Sequence, residues 1–352
     1  MKKQHKTPDS AKKKILLLFC GGTISMHKAA SGTADVASYG AEQLLQLEPR
    51  IGELADITVQ YIANIDSTDM TRETWEKMVD TIEKKYSMYD GFLITQGTNT
   101  LAYASSALSW ALAGIGKPIV LTGAQIPAET LSSDARNNLI NAIRLSTMNL
   151  GGVFVVFGNK IILGCRAKKV SESELDAFKT FNDTDFGEIS IAMVLKKSAR
   201  KGHTNPFHAK NGFEDDVVCF TLIPGFRAEN ITSTIDKGIK GIIFRAYGSG
   251  DIPQSLIPGL LYAKKKKVPV VVTTQCPGGA TVMGLNKAGL LALKTGVIQV
   301  FDMSMEAMST KLMWLLAQGV PYQNIKNKMQ ENMVGEVNPS RAEIFLNMES
   351  SA

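Results

Sequence analysis

The sequence predicts an α/β fold divided into two domains, and three observations lead there. The chain has 352 residues, beyond the roughly 250–300 at which a single core stops growing. Short apolar runs alternate with amphipathic helical stretches, the pattern of a parallel sheet covered on both faces. Segment 196–216, rich in Lys, Arg, His, Asn, Pro and Gly, breaks this alternation and reads as a linker. The expected division is a basic tail at 1–13, an N-terminal domain at 14–195, the linker at 196–216, and a C-terminal domain at 217–352.

In chain order, Ile15–Phe19 reads as a strand and Thr71–Tyr86 as a helix with Trp75, Met78, Val79, Ile82 and Tyr86 on one face. Phe92–Thr95 reads as a short buried strand, and Thr100–Ala113 as a helix rich in alanine and serine. Pro118–Thr122 is a further strand, a helix runs from about Ser133 to Met148, and Val153–Leu163 begins as a strand and turns back like a hairpin. Beyond the linker, strands are expected at Val217–Leu222, Gly241–Phe244 and Val268–Thr273. Helices are expected at Ala228–Lys237, Gln254–Lys266, Met305–Gln318 and Tyr322–Asn332.

Composition excludes several function classes. Hydrophobic residues make up 44% and charged residues 20%, as in soluble globular proteins. Cys20, Cys165, Cys219 and Cys276 lie far apart, which argues against a zinc site or disulfide scaffold and suits a reducing, cytoplasmic compartment. His5, His27, His203 and His208 form no metal-binding pattern. The run Ile15–Phe19 after Lys12–Lys14 is too short for a signal peptide and leads into Cys20-Gly21-Gly22-Thr23. No stretch approaches the roughly 20 apolar residues of a membrane span. The net charge of +6 comes from scattered basic residues, so nucleic acid is not an expected partner. The run Lys264–Lys267 suits the end of a helix.

In open parallel sheets, ligands bind beyond the carboxyl ends of the strands. Small and hydroxylated residues stand at several of these ends: Gly21-Gly22-Thr23-Ile24-Ser25, Gly97-Thr98-Asn99-Thr100, Gly123-Ala124-Gln125, and Gly164 through Lys169. A threonine hydroxyl becomes a nucleophile when a base takes its proton. A desolvated lysine can be that base, and glycine-turn N–H groups can hold an oxyanion. Each segment also has a plain structural reading, as a tight turn, a helix cap or a surface lysine. Other site patterns fail: Gly248-Ser249-Gly250 lacks a third glycine, Pro118 replaces the Ser or Thr of a P-loop after Gly114–Lys117, and no GxSxG elbow occurs.

Taken in order, these segments resemble the L-asparaginases, most closely the bacterial type I (cytoplasmic) branch. Phe19–Ile24, Asn64–Met70, Gln96–Thr100, Leu121–Pro127 and Gly164–Lys169 look like the family's N-terminal blocks. Ala246–Gly250, Thr274–Cys276, Asp302-Met303 and Glu306-Ala307 look like its C-terminal ones. The resemblance runs from about residue 14 to 336. It implies a larger N-terminal domain with a mixed sheet and a smaller C-terminal domain with a flavodoxin-like parallel sheet. It implies hydrolysis of L-asparagine to L-aspartate and ammonia, without metal or cofactor. Thr23 would attack, and Thr98 would pair with Lys169. Asp66, Ser67, Asn99 and Ala124 would hold the substrate. A homodimer or homotetramer would carry sites between subunits, where Asp251, Asp302 or Glu306 of a neighbour could contribute.

The sequence departs from the family pattern at three positions of the site. Asn99 stands where the family has an aspartate for the substrate's α-ammonium. Gly32-Thr33 replaces Gly-Tyr of a mobile flap, with Tyr39 nearby, and Gln96 replaces a histidine. Losing the charge at 99 weakens one hydrogen bond from about 1.5–3 to about 1 kcal/mol, roughly tenfold in binding. An amidase for another small substrate and a non-catalytic asparagine-binding member therefore stay open. Lys168 stands where the branch tends to have a small hydroxyl. Cys276 matches a position of that branch's asparagine effector site, with simple burial as the other reading.

Overall fold

The computed structural model describes residues 12–25, 27–28, 34–35 and 40–338. Thr33, Tyr39 and the tail before residue 12 lie outside the described residues. The first sheet has eight strands in the order β12-β11-β8-β7-β6-β5-β1-β4. In chain order these are β1 (Lys14–Gly21), β4 (Asp56–Ile65), β5 (Gly91–Thr95), β6 (Pro118–Thr122), β7 (Gly152–Phe157), β8 (Lys160–Leu163), β11 (Gly187–Ile189) and β12 (Met193–Leu195). Between them fall the short ribbons β2 (His27–Lys28) with β3 (Ala34–Asp35), and β9 (Ala167–Lys169) with β10 (Phe178–Thr180). Strands β4, β1, β5, β6 and β7 run parallel. The hairpin to β8 reverses direction, and β11 and β12 continue antiparallel. The sheet is therefore mixed, as expected.

Alternation decides what each face meets. Leu16, Leu18, Phe92, Ile94, Ile119 and Leu121 join the core beneath helices α3 (Arg72–Lys85) and α4 (Leu101–Ala111). Ile15, Leu17, Phe19, Leu93 and Val120 pack on the other face with Leu139, Ala142 and Ile143 of α5 (Ala135–Ser146). The short helices α1 (Ala41–Gln46) and α2 (Ile51–Leu54) complete that layer. The second sheet is parallel, in the order β13 (Val217–Thr221), β14 (Gly241–Ala246), β15 (Val270–Thr274), β16 (Ile298–Gln299). It is flanked by α6 (Ala228–Asp236), α7 (Ile257–Lys265), α8 (Lys287–Lys294), α9 (Met305–Ala317) and α10 (Tyr322–Gln330). Helix α9 packs on α4, where Trp110 Nε1 donates to Thr310 Oγ1 at 2.9 Å, so the first core runs without a break into the second sheet. Segment 196–216 carries neither helix nor strand.

The reading by periodicity missed the short strands β2, β3, β9, β10, β11, β12 and β16, the longer β4, and the helices α1, α2 and α8. Strand β4 is an edge strand whose residues are exposed or half-buried throughout, so it shows no apolar run. The expected helix at Gln254–Lys266 begins instead as a 3-10 turn, Gln254–Leu256, because Pro258 sits at the start of the α-helix proper.

Candidate active site

The parallel register aligns Tyr61, Phe19, Thr95 and Thr122 in one row across β4, β1, β5 and β6. The residues just past that row form the site. Gly22 leaves β1 with φ +89°, and a Cβ there would lie 2.1 Å from the Gly97 nitrogen. Only glycine lets these two loops touch. Thr23 opens a 3-10 turn closed by the Ser25 N–H to the Gly22 carbonyl, 2.9 Å. Thr98 follows Gly97, so the backbone brings the two threonine loops side by side. Among the described residues, no hydrogen bond links the Thr23 hydroxyl to Thr98 or Lys169. A Cβ on Gly97 would lie 2.6 Å from Ser67 Oγ, so the same close packing holds Ser67 against the loop.

Lys169 reaches this point from 71 residues away. Helix α4 anchors the approach: Ser105 Oγ and Ser106 Oγ donate to the Gly164 carbonyl at 2.8 and 3.3 Å. Arg166, fully buried, then donates to the Gly335, Phe181 and Asp302 carbonyls and to Asp302 Oδ2 at 3.1 Å. Strand β9 carries Lys169 on, paired with Phe178 of β10. Lys169 Nζ donates to Thr98 Oγ1 at 2.8 Å and to Asn99 Oδ1 at 3.0 Å. Burial pushes its ammonium below the usual 10.5, while Glu172 and Asp66 oppose that shift. The Thr98 hydroxyl itself donates to Gln125 Oε1 at 3.0 Å.

The substrate end is built around the 3-10 turn Ser67–Asp69. Asp66 caps it by accepting the Thr68 N–H at 2.7 Å. Asn99 Nδ2 donates to Thr68 Oγ1 at 3.2 Å, and Thr100 Oγ1 donates to the buried Ser67 carbonyl at 2.8 Å. Ala124 is fully buried, and Asp134 fixes the loop beyond it by accepting the Gln125 and Ile126 N–H groups. Gln96, in place of the family histidine, is buried with its Nε2 on the Gly97 carbonyl and its Oε1 without a protein partner.

Thr98, Asn99, Lys169, Asp66 and Ser67 thus converge, while the second-domain acids separate. Asp302 is fully buried on Arg166, with its Oδ1 accepting the Asn338 N–H, so its carboxylate is consumed inside the chain and offers nothing to a neighbour. Glu306 pairs with Lys168 at 3.3 Å, and Lys168 also lies over the Phe181 ring. Asp251 accepts from Asn286 on Oδ2, while its Oδ1, the Tyr247 hydroxyl and Ser249 Oγ are buried without a protein partner. Cys276 is exposed, which corrects the expectation of burial there. Sequence reading missed the contact roles of Gln125, Thr68 and Arg166; all three lay next to residues it did single out. Among the described residues no cluster of His, Cys, Asp and Glu suits a metal, and no helix is long and apolar enough to cross a membrane.

Comparison with known proteins agrees with this architecture. The family model "Asparaginase, N-terminal" matches residues 14–201, and "Glutaminase/Asparaginase C-terminal domain" matches 216–329. L-asparaginase 1 of Escherichia coli (strain K12) is 34% identical over 342 residues, covering 93% of this chain and 99% of that protein. A glutamyl-tRNA(Gln) amidotransferase subunit of Pyrococcus abyssi is 32% identical, covering 92% of this chain and 77% of that one. The solved L-asparaginase of Thermococcus kodakarensis superposes with a TM-score of 0.85 at 34% identity, covering 92% of this chain and 99% of that one. L-asparaginase I of Vibrio cholerae superposes at 0.84 with 32% identity, covering 93% and 100%. With both family models matched in order and the two-sheet fold shared, the chain belongs to the asparaginase family.

Proposed function

We propose that the protein hydrolyses L-asparagine to L-aspartate and ammonia, with Thr23 as nucleophile and Thr98 and Lys169 handling its proton. The 2.8 Å contact between Lys169 Nζ and Thr98 Oγ1, in a setting that lowers the lysine's proton affinity, carries this reading. Thr23 Oγ1 attacks the side-chain amide carbon, and its proton passes to the neutral amine of Lys169. The C–N bond breaks as that proton is returned to the leaving nitrogen, which departs as ammonia. Water then attacks the acyl-threonine ester by the same proton route, releasing carboxylate and hydroxyl.

Ser67 is assigned to the substrate α-carboxylate and Ala124 to the leaving amide through its backbone. Asp66, being an anion, suits the α-ammonium end, beside Asn99. By its resemblance to the family, the protein would work as a homodimer or homotetramer in which a neighbour's second domain faces this cleft. Exposed Ile191 and Val194 on the β11–β12 edge also favour assembly. The free cysteines fit a cytoplasmic setting.

A second reading rests on Asn99. Its amide is spent on Lys169 and Thr68, so it offers no charge to an ammonium. That favours an amide substrate without an α-ammonium, or binding without turnover. Ammonia release from asparagine, glutamine and simple amides decides between them. Turnover of asparagine supports the first reading. Turnover of another amide alone, or asparagine binding with no ammonia, replaces it.

A further inference from the structure

Gln125 stands directly behind Thr98 and takes no part in the proton route from Thr23 to Lys169. Its side-chain amide is clamped from the far side: Nε2 donates to the backbone carbonyls of Glu172 at 3.0 Å and Glu174 at 3.3 Å. Carbonyls only accept, so the NH2 group has to face them and Oε1 has to face the other way. Its backbone N–H is held in turn by Asp134. The amide therefore cannot flip without leaving two acceptors against an oxygen.

We propose that Gln125 is a positioning residue: clamped by two carbonyls, its Oε1 accepts the single Thr98 proton and turns the Thr98 lone pairs toward Lys169. A hydroxyl has one proton, and Oε1 at 3.0 Å takes it. Lys169 consequently meets Thr98 as a donor, as it also meets Asn99 Oδ1. Two of the lysine's nitrogen positions are then occupied by N–H groups. The third is the one through which a proton enters or leaves, and Thr98 does not hand over its own. This arrangement favours the ammonium, as do the carboxylates of Glu172 and Asp66 that act on the same nitrogen. Gln125 also holds the 172–174 loop that carries Glu172. One side chain thus sets both the hydroxyl's direction and the loop that bears Glu172, the larger of the two charges that oppose the lysine's shift. The inference rests on the functional reading only for its consequence in turnover.

Two variants move the system in opposite directions. In Gln125→Met the Thr98 proton is free to turn to a neutral Lys169 amine, which favours the neutral form. In Gln125→Glu the clamp loses its donor, since a carboxylate has none for the two carbonyls, but the added negative charge beside Thr98 still favours the Lys169 ammonium. The readout is competitive acetylation of the intact protein with acetic anhydride across pH. Lys169 labelling is followed by peptide mass spectrometry relative to exposed Lys237. At neutral pH, labelling in Gln125→Met is expected to rise roughly fivefold, the equilibrium equivalent of one hydrogen bond, with the midpoint at lower pH. In Gln125→Glu the midpoint is expected at higher pH. A loosened loop would also carry Glu172 away and lower the midpoint, so both variants are compared in a Glu172→Gln background, where only the direction of the Thr98 proton and, in Gln125→Glu, the added charge are left to move it. Coincident midpoints in all three proteins overturn the proposal. Because labelling needs no turnover, absence of asparagine hydrolysis in wild type would sink the functional reading and leave this test intact.

Discussion

The two ends of the cleft are built to different standards. At the proton-handling end, Thr98, Lys169 and Gln125 form a connected set of hydrogen bonds, and Arg166 anchors the approach from a fully buried ion pair. At the recognition end, Asn99 spends its amide on Lys169 and Thr68, and the carboxylates of Glu172 and Asp66 act on that same lysine. The contacts of the proposed proton route are in place, while the side chain at position 99 carries no charge. Such a division ties changes at the first end to kcat and changes at the second to KM and substrate choice.

The most severe loss is expected for Thr23→Ala. If the nucleophile is assigned correctly, ammonia release falls by on the order of 10³-fold or more with substrate binding retained. Turnover near the wild-type rate would remove Thr23 from that role. Next comes Arg166→Met, which strands Asp302 in the core. Breaking a buried pair costs about 3–5 kcal/mol, to be read by denaturant unfolding. An unchanged midpoint would mean that the Arg166–Asp302 contact does not anchor β9. Asn99→Asp is expected to lower KM for asparagine about tenfold, while its carboxylate on Lys169 Nζ moves the pH rise of kcat upward; an unchanged or higher KM, measured on the high-pH plateau, would mean that the recognition end is adapted to something else.

The pH dependence gives a smaller but signed effect. If neutral Lys169 is the working form, as proposed, kcat/KM rises with pH through a value below the ordinary lysine one, burial being the cause. Glu172 favours the ammonium, so Glu172→Gln moves that rise to lower pH. A move to higher pH would contradict the assigned balance of charges.

Much of this was legible in the sequence, for reasons that differ by element. Strands β1, β5 and β6 are buried on both faces, so they read as plain apolar runs and fix where the site loops begin. Strand β4 lies at the edge, mixes polar with apolar residues, and was invisible to periodicity even though it delivers Asp66 and Ser67. The Thr98–Lys169 contact spans 71 positions and was expected only through family resemblance; no local pattern encodes it. Gln125 escaped notice because a single glutamine after a strand carries no signal until its two carbonyl partners, 47 and 49 residues onward, are in place. Asp302 was one of three acids that could have reached a neighbour's site or served as surface or capping acids; a buried arginine far earlier in the chain claims it instead.

A double-mutant cycle on kcat/KM for asparagine, with Thr98→Val, Lys169→Met and the pair together, addresses the proton-handling unit most directly. If the hydroxyl and the amine act as one device, the double variant is no worse than the poorer single variant. Losses that multiply, each variant adding its full penalty to the other, would show two independent contributions and contradict the account.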